Sequence, residues 1–233
     1  RFIVFEKVPG KAMGTLFASD ASPAFCNDFA RTLARLHSLE IEDLALDDTI
    51  EFGRDVIRDD GAPDRTATTL KIFTRPGLPR LTMFACQQHR RDLIEFPKWM
   101  DHPNGAHGFV SATILAEPKD QPAVRDWLAT LHGSEAITDT GRGFTVFTGR
   151  GHWRVLCRDA ARAVFGALPA DLAPDGAPSV ISLDVACRAL DRVLPFVDTG
   201  GFACQKIGSA LVLTEHARLG GILLTFQEAP AAP

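Results

Sequence analysis

The chain has 233 residues, 45% of them apolar and 23% charged, with a net charge of -4 and a pI near 6.0. That balance belongs to a folded globular protein and excludes an intrinsically disordered chain. A mildly acidic surface has no long-range attraction for phosphate backbones or anionic lipid, and no apolar run approaches the roughly 20 residues that span a bilayer, so neither nucleic acid nor a membrane is an expected partner.

In chain order, RFIVFEKV at 1–8 predicts a strand, 9–21 a loop, and 22–39 a helix in which Phe25, Phe29, Leu33 and Leu36 form one apolar stripe behind a Ser22-Pro23 start. The acidic stretch 40–48 reads as a connector. Three short strands are then predicted at 50–57, 68–74 and 81–86, separated by the turn-prone DDGAPD and RPGLP segments. From Phe109 the same order returns: strand 109–116, helix 121–132 carrying Val124, Trp127, Leu128 and Leu131, and strands 136–140, 143–148 and 152–157. A short helix at 158–166 and a Pro-, Ala- and Gly-rich linker at 167–177 follow. A third pass has strand 179–185, helix 186–197, and strands 202–207, 210–214 and 222–227.

One order of elements met three times predicts an internal repeat with a period of about 65 residues. The fold class expected is α+β, built of βαβββ modules at 1–105, 106–170 and 178–229. A single module is a curved sheet with a helix on its outer face, so its inner face lacks a partner. Two modules side by side close half-barrels around a small-molecule cup, and an odd module calls for a mate, which makes a homodimer an expectation. Five cysteines, widely spaced among apolar neighbours and without a CxxC pair, predict reduced thiols in a cytoplasmic protein and no cysteine-type zinc site.

The densest chemistry lies in LTMFACQQHRRDLIEFPKWMDHPNGA at 81–106. A strand that opens into Gln87, Gln88 and His89 places polar groups at a cavity mouth. His89 is the candidate general base, or a histidine that merely caps a strand end; Gln87 or Gln88 would orient a substrate oxygen, only one of them facing the cup because side chains alternate along a strand. Phe84, Cys86, Glu95, Trp99, His102, His107, His152 and Trp153 are the expected ligand-binding residues, with Phe96 and Phe147 adding to the aromatic wall. Each has a plainer alternative. His102 and Asn104 flank a Pro-Gly turn, Cys86 has no nearby lysine to activate it, and His37 and His132 end helices, where an imidazolium complements the dipole. The GRG triplets at 141–143 and 149–151 bracket a strand and read as hairpin turns, not phosphate loops.

CQQH at 86–89, EFPKW at 95–99, HPNGA at 102–106 and FTVFTGRGHWRVLC at 144–157 resemble the glyoxalase-like branch of the vicinal oxygen chelate superfamily, over about residues 49–229. The resemblance implies paired βαβββ modules and activities ranging from isomerases, lyases and dioxygenases to binding proteins for small molecules. It also implies, in metal-using members, an ion held by His, Gln or Glu from the first and last strands of paired modules. This chain departs from that pattern: it offers Ser111 and Ala112, only His152 on HWRVLC, Ser182 and Asp184, and Thr225 or Gln227. No cofactor is therefore assigned, and a divalent metal would find an incomplete ligand set. The expected function is binding of a small carbonyl or aromatic compound, with lyase- or isomerase-type conversion through His89, or binding alone as the alternative.

FIVFEKVPGKAMGTL at 2–16 with FARTLARLHSL at 29–39 resembles a different family, the aminoglycoside phosphotransferase-like kinases, over about residues 2–40. That resemblance implies a small-molecule kinase fragment. No HGD-type loop with its base and metal-binding aspartate follows downstream, and phosphoryl transfer depends on those groups.

Overall fold

The computed structural model of the protein describes residues 2–4, 45–58, 60–94 and 101–229. The chain divides into two compact units, residues 1–100 and 101–233. The predicted helix at 22–39, its preceding loop, and Glu95, Phe96 and Trp99 lie outside the described residues.

The first unit holds a four-stranded sheet made of β1 (Phe2–Val4), β2 (Ala45–Phe52), β5 (Thr68–Thr74) and β6 (Met83–Gln88), in the order β1-β6-β5-β2. All its pairings are antiparallel. A separate hairpin joins β3 (Asp55–Ile57) to β4 (Pro63–Arg65). The single strand expected at 50–57 is thus two strands, broken where a Cβ on Gly53 would lie 2.2 Å from the Thr66 carbonyl oxygen. At this crossing the backbone of Arg54 donates to Thr66 Oγ1 at 3.0 Å, and the N–H of Thr66 returns to the Arg54 carbonyl at 2.9 Å. Residues 45–48, expected as connector, are already strand. Phe73, Leu78, Leu81, Met83, Ala85 and Leu93 are buried and form the apolar interior of this unit.

The second unit is one eight-stranded sheet with three helices. Its elements are β7 (Ala106–Leu115), α1 (Gln121–His132), β8 (Ile137–Asp139), β9 (Gly143–Phe147), β10 (His152–Leu156), α2 (Arg158–Phe165), β11 (Ser179–Cys187), α3 (Leu190–Thr199), β12 (Cys204–Ile207), β13 (Ala210–Leu213) and β14 (Leu223–Glu228). The sheet order is β12-β13-β14-β11-β7-β10-β9-β8. Read outward from the middle, each half presents its first, last, third and second strand. The first and last strands of each half are parallel, β7 with β10 and β11 with β14, which requires the long crossover that α1 and α3 supply. The halves meet where β7 and β11 pair antiparallel, with register shifts between Val180 and Ser182 and between Asp184 and Val185.

The helix at 121–132 forms because Val124, Trp127, Leu128 and Leu131 recur on one face; all four are buried, Pro122 stands in the first turn, and Gly133 at φ +90 ends it. His132 does not cap this helix as an imidazolium. It is buried, and burial lowers its pKa to about 4, so it is neutral at pH 7. The segment 167–177 is less of a free linker than its composition suggests, since Leu172 is buried with Phe165, Leu115, Leu156 and Leu223 beneath α2. The third helix begins at Leu190, not 186, because 185–187 are spent pairing with β14.

Candidate functional site

In the first unit, β5 and β6 pair with Thr68 opposite Gln88 and Thr69 opposite Gln87. Alternation then puts Thr68, Gln88 and Cys86 on one face and Thr69 and Gln87 on the other. Thr68 Oγ1 donates to Gln88 Oε1 at 2.6 Å, and Gln88 Nε2 donates to Cys86 Sγ at 3.0 Å. The Gln88 amide is therefore occupied within the sheet. Burial pushes the Cys86 thiol above its usual pKa, which suits a structural sulfur better than a nucleophile. His89 has turned the other way, its Nε2 2.8 Å from Thr69 Oγ1 and its backbone N–H bound to the Ala67 carbonyl at 2.9 Å. Gln87 is exposed, opposite Thr69. As alternation predicts, only one of the two glutamines shares a face with His89, and that one is Gln87.

His89 does border an open hollow of about 430 Å³, whose lining includes Glu51, Arg65, Thr66, Thr68 and Thr69. Arg65 is held by Asp55 at 2.6 Å and by the Gly53 carbonyl at 3.1 Å. Just beyond His89, Arg90 grips Asp64 with two hydrogen bonds of 3.1 and 2.9 Å, and this guanidinium is the main reason that the Asp64 carboxyl titrates down at about 2. The clamp ties the end of β6 to the β3–β4 hairpin.

The histidines that open the second unit are mostly structural. The His102 carbonyl accepts the Gly105 N–H at 2.8 Å, and Asn104 Oδ1 accepts the Ala106 N–H at 3.1 Å, with Gly105 at φ +75, so this is a turn with its own side-chain bond. The His102 side chain is exposed. His107 Nε2 lies 2.9 Å from the Ala229 carbonyl; because a carbonyl only accepts, Nε2 carries the proton. Phe84 is half-buried on β6 in the first unit. Trp153 is buried on the face of β10 opposite to Arg154, and its indole N–H has no hydrogen-bond partner among the described residues. Alternation also turns it away from His152, so the two do not line one wall as expected.

What converges instead is a polar cluster at the seam of the eight-stranded sheet. Asp184, 2% exposed, accepts from Ser111 Oγ at 2.5 Å, from Arg154 Nη2 at 2.5 Å and from Ser182 Oγ at 3.3 Å. Arg154 also donates to Thr113 Oγ1 from Nε at 3.1 Å and from Nη2 at 3.0 Å. Its guanidinium lies over the Phe165 ring at 5.3 Å from the centroid. Thr225, in register beside Asp184 on β14, is buried with a hydroxyl that has no partner among the described residues. Two residues back along β10, exposed His152 meets the Phe147 ring at 5.3 Å, centroid to centroid. A charge pair with a buried carboxylate and a half-buried guanidinium thus lies between an apolar cap on α2 and an exposed aromatic pair.

Among the described residues no group of three or more His, Cys, Asp or Glu converges. The seam offers one carboxylate, already bound by a guanidinium, and otherwise only hydroxyls. That donor set does not suit a divalent ion. In the sequence Ser111, Asp184 and Thr225 register only as departures from the family's ligand pattern, and Arg154, which organises them, is not singled out.

No family model matches the chain, and no curated protein matches it. Among solved structures it is similar to a hypothetical protein from Staphylococcus aureus, with a TM-score of 0.51 and 8% identity, over 84% of this chain and 62% of that one. The chain therefore spans less than two thirds of that protein's length, and the likeness speaks to the fold alone. A looser likeness is to methylmalonyl-CoA epimerase from Mycobacterium tuberculosis, with a TM-score of 0.39 and 12% identity, over 58% of this chain and 97% of the other. A superposition that loose carries no argument. The resemblance of residues 2–40 to kinases finds no support in these comparisons. Among the described residues no helix is long and apolar enough to cross a membrane.

Proposed function

We propose that the protein binds a small carbonyl or aromatic compound on the polar face of its eight-stranded sheet. In this reading the two halves of that sheet are paired βαβββ modules of the glyoxalase-like kind, residues 106–170 and 178–229, and residues 1–105 are a third. The supporting observation is the Arg154-Asp184-Ser111 cluster where the two halves meet, in which Ser111 and Asp184 are buried and Arg154 is half-buried. A carboxylate taken out of water at a sheet seam is a costly feature to keep for stability alone. Such a pair, next to exposed aromatic rings, is what a site needs to fix the orientation of a small polar ligand.

Binding without conversion fits this seat. The hydrogen bonds of Asp184 that the structure describes run to Ser111, Arg154 and Ser182, so it serves as a clamp more than as a base. Lyase- or isomerase-type conversion belongs to a second reading, in which a ligand enters the hollow beside His89 and the imidazole moves a proton. A thermal-shift screen with small ketones, aldehydes and aromatic compounds distinguishes the two, because a ligand that prefers the native state raises its melting temperature. The seam reading expects shifts that survive His89→Ala and vanish in Arg154→Met. Shifts lost only in His89→Ala move the site to the first unit, and no shift with any compound overturns both.

A further inference from the structure

We infer that the seam cluster, taken as the ligand seat proposed above, selects an uncharged carbonyl compound over the matching carboxylate, with Arg154 and Thr225 as the two donors that receive the carbonyl oxygen. Three observations carry this. The Arg154 guanidinium spends Nε and Nη2 on Thr113 and Asp184, while its Nη1 has no partner among the described residues. Its side chain is 26% exposed, against 3% for that of Asp184, so it is the reachable half of the pair. Thr225 is 5% exposed, lies in register beside Asp184 and therefore on the same face of the sheet, and its hydroxyl is buried without a hydrogen-bond partner among the described residues. A buried hydroxyl left unpaired is destabilising, and it ceases to be so when a ligand oxygen accepts from it.

Charge decides what that oxygen belongs to. Asp184 already neutralises Arg154, so the seat as a whole is uncharged. A ligand carboxylate would either sit next to the Asp184 carboxylate in a place that water scarcely screens, or draw Arg154 away and leave Asp184 buried without its cation. A ketone, aldehyde or amide oxygen accepts from Nη1 and from the Thr225 hydroxyl without either cost. An attached ring meets Phe147 and His152, the exposed aromatic pair on the same face of the sheet.

The test titrates the full chain with acetophenone, benzamide and benzoate by protein-observed NMR, and repeats the titrations with Thr225→Val and Arg154→Lys. The expected result is that acetophenone or benzamide binds at least about tenfold more tightly than benzoate. Thr225→Val weakens the neutral ligands by about three- to tenfold, the worth of one hydrogen bond, yet raises the melting temperature of the ligand-free protein by a few degrees because it removes an unpaired hydroxyl. A merely structural threonine would not give that opposition. Arg154→Lys keeps the charge but loses the fork, and weakens the neutral ligands as well. Benzoate binding as tightly as the neutral compounds, or Thr225→Val lowering the melting temperature, overturns the inference and leaves the seat standing. Failure of all three compounds to bind the unaltered protein overturns the inference and the seat together.

Discussion

Replacing Arg154 with methionine tests the seam most directly, because it keeps most of the side-chain volume and removes only the guanidinium. Asp184 would then hold its charge at 2% exposure with nothing but the hydroxyls of Ser111 and Ser182. Breaking a buried ion pair from one side costs about 3–5 kcal/mol. Solvent reaches the arginine end, which is 26% exposed, so the cost falls to the bottom of that range or just below it, about 2–3 kcal/mol. Removing both charges in Arg154→Met/Asp184→Leu leaves no stranded ion, and the double variant is expected within about 1–2 kcal/mol of the unaltered protein. The coupling energy of the cycle is then about 1 kcal/mol plus whatever Asp184→Leu costs alone. Urea denaturation followed by tryptophan fluorescence reads this unit well, because Trp127 and Trp153 are both buried in it. If Arg154→Met costs under about 1 kcal/mol, or if the double variant loses as much as the two singles added, the pair is a surface contact and the cluster is no seat.

Three further outcomes follow from local geometry. Burial lowers the His132 pKa from 6.5 to about 4, so the unfolded chain takes up a proton near pH 6.5 that the folded chain refuses until about pH 4; stability is full above pH 6.5 and falls by about 3 kcal/mol between those values. A pH series of urea midpoints should show this slope, and it should shrink in His132→Leu. Gly143 has φ +138, and a Cβ there would lie 2.0 Å from the Val155 carbonyl oxygen, so Gly143→Ala should cost at least about 2 kcal/mol by the same denaturation assay, while Gly141→Ala, with nothing within 4 Å and only its φ of +71 to strain, should cost about 1. Among the described cysteines, Cys204 is exposed and Cys187 is buried with its thiol pushed up by burial, so limited iodoacetamide should label Cys204 first and Cys187 last by peptide mass mapping.

How far the sequence carried depends on the range over which each feature is decided. The helix at 121–132 and the strand at 68–74 were legible to the residue because their own periodicity and flanking Pro or Gly settle them. The start of β2 at Ala45 was not, since two aspartates in a row read as solvent; as the edge strand of its sheet, with a register shift between Leu46 and Thr49, it tolerates a sequence that a central strand would not. Gly53 split one expected strand in two because of where the Thr66 backbone passes, a contact made thirteen residues away.

The site follows the same rule more sharply. Of His89, Gln87 and Gln88, alternation leaves Gln87 and His89 on the face of Thr69 and sends Gln88 to the other, where Thr68 and Cys86 occupy its amide. Ser111, Arg154, Asp184 and Thr225 look like unrelated residues on four strands, and register brings them to one face because β7, β10, β11 and β14 are adjacent in the sheet. A mid-strand arginine carries no local sign of burial. Its meaning lies in Asp184, thirty residues on, and nothing in HWRVLC points there. In a sheet-built protein the convergent groups are therefore to be sought at every second position of separate strands; had Arg154 been paired with each acidic residue sharing its strand parity, Asp184 would have been among the few that a first-strand position could bring within reach.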